Sequence, residues 1–448
     1  MTSADVNAND ASGPDDAEFH ATAADECEDA YVDGDRTFTP GTARSAFSHR
    51  TFRTIYLGAF ASNIGTWMQN VVLGAVAYSL THSAVFVGIM TAAQLGPLLL
   101  FSMVGGMLAD QFDRKKLLMI LTIQQAAFSL VLALVTLPDA PNKAAMVFVV
   151  FCIGVGNALY APIFSAVVPI LVPRRDISGA ISLNSVQMNA SRVVGPAVGV
   201  AIYAAFGPSW VFLLNALSFA AVIIALTRVS LPAPLAATGA QGLHRILEGV
   251  EAARRNRVIG QCLITIFVFS FVCLPFITQM PKIAGDHLNI APKSSAYGFL
   301  YACFGLGAVI GALSIGTVFA ASSKPMLTRR GLVGFAMMLA LFGYLRDALP
   351  AYPTILVLGG VYFAVITSLS TVLQEEVEDA VRGKVMALWI MGFGGTVPFG
   401  GLLGGVAIEH VGIFPVLFVG AVVSVLLAVV FDYQSAPAAG DPTLTPAT

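Results

Sequence analysis

Apolar residues in this chain do not alternate with polar ones. They run in long blocks separated by short polar stretches. A helix needs about 20 largely apolar residues to cross the hydrocarbon of a bilayer. Between Phe52 and Phe431 twelve blocks reach that length, at roughly 52–80, 84–109, 115–137, 144–172, 177–206, 209–230, 258–281, 294–320, 331–349, 353–375, 383–408 and 412–431. The two-residue alternation of a membrane barrel is absent from them. Several blocks exceed the membrane thickness, so they tilt or project beyond it. The pattern predicts an all-α integral membrane protein with 12 transmembrane helices.

The longest internal connection, 231–257, opens with Leu231-Pro-Ala-Pro-Leu235 and continues as an amphipathic basic stretch from His244 to Arg257. It divides the spans six and six, and the two groups echo each other. Gly105-Gly-Met-Leu at the end of span 2 matches Ile310-Gly-Ala-Leu at the end of span 8, an offset of 205. Gly179 and Gly383 open spans 5 and 11 at an offset of 204, and Gly199-Val-Ala-Ile matches Gly405-Val-Ala-Ile at 206. Each match alone is weak, but the common offset and the equivalent positions are not. Two parallel six-helix repeats joined by a linker make the major facilitator fold. The expected organisation is an acidic disordered tail at 1–43, a first bundle at 44–230, a linker at 231–257, a second bundle at 258–432 and a disordered C-terminal tail at 433–448.

Composition agrees with this. Charged residues make up 11% of 448 positions, hydrophobic ones 56%, and the mean hydropathy is +0.79. So few charges cannot cover the surface of a soluble globule, and a basic nucleic-acid binder is excluded on the same ground. The net charge of -2 conceals a split, with -10 in residues 1–43 and +8 in the rest. If the N-terminus is cytoplasmic, 19 basic residues fall on inside segments and 4 on outside loops, which the positive-inside rule requires. Both termini are then cytoplasmic. The tail carries no basic-then-apolar signal peptide. Four of the five cysteines lie inside apolar runs with no CxxC pair, which reads as small apolar filling rather than a disulfide or metal framework.

The loop after span 2 reads Gly105-Gly-Met-Leu-Ala-Asp110-Gln-Phe-Asp-Arg114-Lys-Lys. It resembles the major facilitator signature between helices 2 and 3, although Gln111 and Asp113 stand where that signature has a base and a glycine. Gly106 would permit close helix approach, Asp110 would sit at a neighbouring helix N-terminus, and Arg114 would brace a charge relay at the cytoplasmic gate. Span 5 holds Arg192-Val-Val-Gly195-Pro196-Ala-Val-Gly199, which resembles the Gly-Pro motif of major facilitator exporters. Glu375, at the end of span 10, joins Gly106, Asp110, Arg114, Gly195 and Pro196 as a gate or coupling candidate.

Longer stretches narrow the resemblance. Ser62-Asn-Ile-Gly-Thr-Trp67-Met-Gln, Leu80-Thr-His-Ser-Ala, Pro169-Ile-Leu-Val-Pro173, Ser182-Leu-Asn184-Ser, Asn215-Ala-Leu-Ser and Arg382-Gly-Lys-Val-Met-Ala-Leu-Trp389 resemble the bacterial transmembrane secretion effector branch over residues 46–432. That branch includes enterobactin-type siderophore exporters and macrolide or multidrug efflux relatives. The arginine motif that many proton-coupled drug exporters carry in span 4 is missing, since Cys152-Ile-Gly-Val-Gly-Asn157 occupies that region.

Polar residues within the spans mark a candidate cavity. Asn63, Thr66, Trp67 and Asn70 follow i, i+3, i+4, i+7 spacing and share one face of span 1. Asn157 and Tyr160 are paired likewise in span 4, and Asn189 with Arg192 in span 5. Gln94 and Asn215 are read as interhelical hydrogen bonders. A guanidinium inside a span costs at least ~2.5 kcal/mol, so Arg192 needs a partner or a wet cavity. No Asp or Glu lies deep in any span. Carbonyls and Asn189 could satisfy Arg192, or an anionic cargo could.

No Ser/His/Asp set, metal-spaced histidines or nucleotide loop GxxxxGK[ST] is present, so the chain reads as neither an enzyme nor an ATP-driven pump. The expectation is a monomeric, multi-pass transporter of the bacterial inner membrane with no cofactor or metal. It would export a small amphipathic or anionic molecule, siderophore-like or a drug, by alternating access with protons as the coupling ion. A nutrient importer or a non-transporting membrane receptor is the alternative.

Overall fold

The computed structural model describes residues 38–229 and 243–434. Among the described residues every regular element is helical. After a six-residue helix α1 (Ala43–Ser48) come α2 (Arg50–Thr81), α3 (Ala84–Gln111), α4 (Arg114–Val135), α5 (Lys143–Val167), α6 (Ile177–Phe206) and α7 (Pro208–Arg228). The short α8 (Leu243–Arg255) lies in the linker. The second group is α9 (Arg257–Val268), the short α10 (Pro275–Thr278) and α11 (Met280–Lys282), then α12 (Ser295–Gly316), α13 (Lys324–Tyr344), α14 (Ala348–Glu376), α15 (Asp379–Ile390), α16 (Val397–Val411) and α17 (Ile413–Val430).

Ten of the helical segments are long and apolar enough to cross a membrane by length and composition. Helices α2 and α6, of 32 and 30 residues, are long enough but fall outside that set. Both carry polar residues within the helix, Asn63, Thr66, Gln69 and Asn70 in α2 and Asn184, Gln187, Asn189 and Arg192 in α6, which dilutes their apolar character. A count from apolar length alone therefore meets ten of the twelve expected spans.

Capping places several boundaries. Ser83 accepts from the Phe86 amide at the start of α3, Asp113 from Lys116 at the start of α4, and Asn142 from Ala145 at the start of α5. These side chains satisfy amides that the first turn leaves orphaned. Gly207 (φ 90°) and Gly412 (φ 89°) end α6 and α16 and start α7 and α17. They stand 205 apart, so the repeat recurs in the backbone as well as in the letters. Only glycine takes this positive φ without strain.

In the first group α2 packs on α6 and α7, α3 on α5, and α4 on α5 and α7. In the second, α12 packs on α14, and α13 on α14 and α17. The groups meet through two equivalent pairings, α3 with α16 and α6 with α12. These are spans 2 with 11 and 5 with 8, as a two-fold repeat demands.

Four features differ from expectation, one being span 11, which a π-turn at Met391–Gly395 divides into α15 and α16. Span 7 is not one helix, since a π-turn at Phe269–Cys273, Pro275 and Pro281 break it into α9, α10 and α11. Tyr433, placed in the C-terminal tail by sequence, is 1% exposed and bonded to Thr265 and Gln261 of α9, so the second bundle extends to it. At the other end Gly41 donates to Asp176, whose side chain is buried and also bonds His49 at 2.8 Å. Residues before 44 are thus tied into the first bundle. Residues 1–37 and 435–448, where the rest of the expected tails fall, lie outside the described residues.

Candidate functional site

Midway along α6, Arg192 lies between two aromatic rings drawn from the two groups. Its guanidinium carbon is 5.2 Å from the centre of the Trp67 ring on α2 and 5.2 Å from that of Phe363 on α14. Among the described residues it makes no ion pair, and its buried Nε has no hydrogen-bond partner. Stacking on a π face is favourable for a guanidinium, more so where water is excluded. It leaves the in-plane N–H donors of the fork available to a third party.

Sequence explains how Arg192 reaches this place. One turn on, Gly195 lets α6 approach α2 so closely that a Cβ there would lie 2.5 Å from the Trp67 Cβ and 2.9 Å from the Ile64 carbonyl. Gly199 meets the Met68 backbone in the same way. Pro196 is buried within α6, which nevertheless runs unbroken. On the other side Gly305 of α12 leaves room over the Arg192 carbonyl. Small residues thus draw three helices together around one charge.

Behind Phe363 the second group is aromatic. Tyr362 stands 4.8 Å from the Phe363 ring and stacks with Phe269 and Phe304, with Phe335 and Phe276 completing the cluster. Phe363 carries no periodic signal in sequence, because an aromatic residue in an apolar span is indistinguishable from core.

The other candidates separate. Asn70 accepts from Gln94 of α3, so its carbonyl serves a helix–helix bond. Asn63 is half-buried on α2 a turn from Trp67, Asn157 is half-buried on α5, and Tyr160 stacks on Phe164 of its own helix at 5.5 Å. Asn189 donates to the Ser185 carbonyl at 2.9 Å rather than to Arg192. Asn215 donates to Gln69 at 2.9 Å and lies 3.4 Å from the Ser129 hydroxyl, joining α7, α2 and α4.

Near the loop after α3 the expectation for Gly106 is corrected. No atom outside its own helix lies within 4 Å of a Cβ built on Gly106, whereas one on Gly105 would lie 2.6 Å from the Leu159 carbonyl and 2.8 Å from Pro162 of α5. One residue is about 100° of helix rotation, which turns Gly106 away from α5. Arg114 donates Nε–H to the Ala109 carbonyl at 3.0 Å and so covers the C-terminal end of α3. Glu375 is exposed at the end of α14. The side chain of Asp110 lies outside the described residues.

Two helical groups related by a repeat, meeting through equivalent helix pairs with Arg192 held between them, have the architecture of a multi-pass major facilitator transporter. The family model described as transmembrane secretion effector matches residues 41–446, and the chain belongs to that family. A curated relative is the enterobactin exporter EntS of Shigella boydii serotype 4, 25% identical over 352 residues that cover 76% of this chain and 81% of that one. The enterobactin exporter EntS of Escherichia coli O139:H28 shows the same identity and coverage. Among solved structures, the nucleoside transporter NupG superposes with a TM-score of 0.68 at 15% identity, covering 85% of this chain and 98% of that one. A POT family transporter crystallised with a thioalcohol-conjugated peptide gives 0.69 at 12% identity, covering 87% and 97%. These likenesses are to the fold, and the family assignment makes the chain a transporter rather than an enzyme.

Proposed function

We propose that the chain exports a small amphipathic or anionic molecule, siderophore-like or a drug, across the cytoplasmic membrane by alternating access driven by the proton gradient. One observation carries this reading. Arg192 has no acidic partner among the described residues, and it is held between rings contributed by both groups. A structural arginine would be paired with a carboxylate, because an unpaired buried charge is costly. An arginine clamped by Trp67 and Phe363 instead presents its fork to a planar anion, with apolar walls for the rest of the molecule. In this reading Trp67, Asn63, Asn70, Asn157, Tyr160 and Asn189 meet the cargo as the transporter alternates, and Asp110, Arg114, Glu375, Gly195 and Pro196 work the gate. The enterobactin exporters among the relatives support export over import.

The test uses purified protein in proteoliposomes, with enterobactin and a macrolide as probes and the pH gradient imposed or collapsed. Export predicts flux that depends on the gradient. Arg192→Ala should weaken binding of the anionic probe by about tenfold or more. Arg192→Lys should restore only part, since lysine keeps the charge but loses the planar fork. Unchanged affinity with a large fall in melting temperature would make Arg192 a packing strut and defeat the reading.

A further inference from the structure

Where α2 ends and α3 begins, polar contacts tie the first group to the second. The Tyr78 hydroxyl, in the last turn of α2, donates to Asp286. Lys282, one turn before Asp286, pairs with it at 2.6 Å. The same ammonium donates to the His82 carbonyl at 2.7 Å and lies 5.7 Å from the Tyr78 ring centre. Gly285 is required here, because a Cβ would come within 2.5 Å of that ring. A second arm stands beside the first. Glu409, in the last turn of α16, accepts from the Ser83 hydroxyl at 2.5 Å and from the Val85 amide at 3.1 Å. It covers the N-terminus of α3, where the helix dipole favours an anion.

Below this level, apart from Arg192 between Trp67 and Phe363, the groups meet through small and apolar residues. Gly88 abuts Leu402, Gly298 abuts Val200, and Gly305 abuts Val193. Such contacts resist separation in proportion to area and have no fixed partner. The two carboxylates are different, because each accepts hydrogen bonds from specific donors on the first group, Asp286 from Tyr78 and Glu409 from Ser83 and Val85. Both sit on interrupted elements of the second group. Asp286 lies in a π-turn at Ile283–His287, and α16 follows a π-turn at Met391–Gly395. Their partners sit on the unbroken α2 and on the cap of α3. A cavity of about 550 Å³ opens beside them, bordered by His82, Lys282, Asp286, Arg346 and Glu409.

We propose that Asp286 and Glu409 form a two-point latch that holds this end of the transporter shut, and that releasing both arms is the step by which this end opens. By the distribution of basic residues this is the outward end. The inference requires only that the transporter alternates between two states. It needs no substrate and no direction of transport, so failure of the export proposal leaves it standing.

The test is carried out on the full chain in lipid nanodiscs, where both faces are reachable. Val200, on α6 near this end, is fully buried against Gly298 of α12. A Val200→Cys reporter is sealed while the latch holds. Its labelling rate with a charged maleimide is read by mass spectrometry at residue 200, so the native cysteines can remain. Asp286→Asn combined with Glu409→Ala is expected to raise that rate about tenfold, and each single change about threefold. Labelling of Cys273, buried in the core of the second group, should not change. A folded double variant whose reporter reacts at the parental rate overturns the latch. Equal acceleration at Cys273 overturns it too, since that would be general loosening. Should the double variant fail to fold, the single variants decide by the same two rates.

Discussion

Positions 215 and 420 stand 205 apart and occupy equivalent places in α7 and α17. In the first group Asn215 reaches across to Gln69 of α2 and to Ser129 of α4. In the second, Gly420 lets the backbone of α17 lie against Val272 and Cys273, and the Cys273 thiol donates to the Gly420 carbonyl at 3.2 Å. One repeat thus solves one contact in two ways, with a polar clasp or with bare backbone. Continuity differs in parallel. Helices α2 and α6 run unbroken, while their counterparts are interrupted by π-turns at Phe269–Cys273 and Met391–Gly395. π-turns gather at functional positions. At these positions the first group has the continuous helices and carries the arginine, and the second contains the π-turns and carries the carboxylates of the latch.

The sharpest way to break the comparison is at the glycines that both halves share. Gly195 and Gly400 are also 205 apart, and each seats its helix on the span equivalent to the other's partner. A Cβ at Gly400 would collide with the Phe271 carbonyl, a backbone atom that cannot rotate aside. Gly400→Ala should cost about 3 kcal/mol, and Gly195→Ala about 1–3 kcal/mol, both read as lowered melting temperature. Equal tolerance of the two changes would mean the close approaches are not needed.

Asn215→Leu comes next. It leaves Gln69 and Ser129 without their shared partner, at a cost of about 1–2 kcal/mol by the same measurement. Gly420→Ala should cost less, because the nearest atom, Leu339 Cδ2 at 3.2 Å, is the far end of a flexible side chain. The reverse order would show that the bare contact is the stronger one.

Gly394→Ala tests the π-turn at Met391–Gly395 itself. Its Cβ would meet only the tip of Leu98, at 2.9 Å. Alanine favours helix over glycine by about 1 kcal/mol, so amide exchange across 391–395 should slow by about fivefold. Unchanged exchange there would mean that the π-turn is not a mobile joint.

The smallest effect is a pH dependence at His287. Its Nε2 lies 2.5 Å from the Gly343 carbonyl, and Arg346 donates to Nδ1 at 2.5 Å, which fixes a neutral ring protonated at Nε2. Burial lowers the pKa and Arg346 lowers it further, against the pull of the Gly343 carbonyl. A depressed histidine stabilises above its unfolded value of about 6.5, and that contribution is lost as the pH falls through the folded value. Melting temperature should therefore drop on acidification below about pH 6.5, and His287→Gln should remove that part of the drop. A profile identical in the variant would refute the assignment.

The sequence by itself determined the class. Apolar blocks of bilayer length, one long linker and a 205-residue offset are local or periodic features, and they follow from what lipid demands of a backbone. It also marked Arg192, because a charge inside an apolar run stands out whatever surrounds it. Tertiary structure decided the partners. Phe363 lies 171 residues from Arg192 and is one aromatic among 30 phenylalanines, so no spacing rule could single it out. Glu409 and Ser83 are 326 apart, and their bond exists only because α3 and α16 are neighbours. The choice between Gly105 and Gly106 depended on the rotation of α3 against α5, a matter of 100° that adjacent identical letters cannot encode. Periodicity places a residue on a helix, whereas contacts between distant helices decide what that residue does.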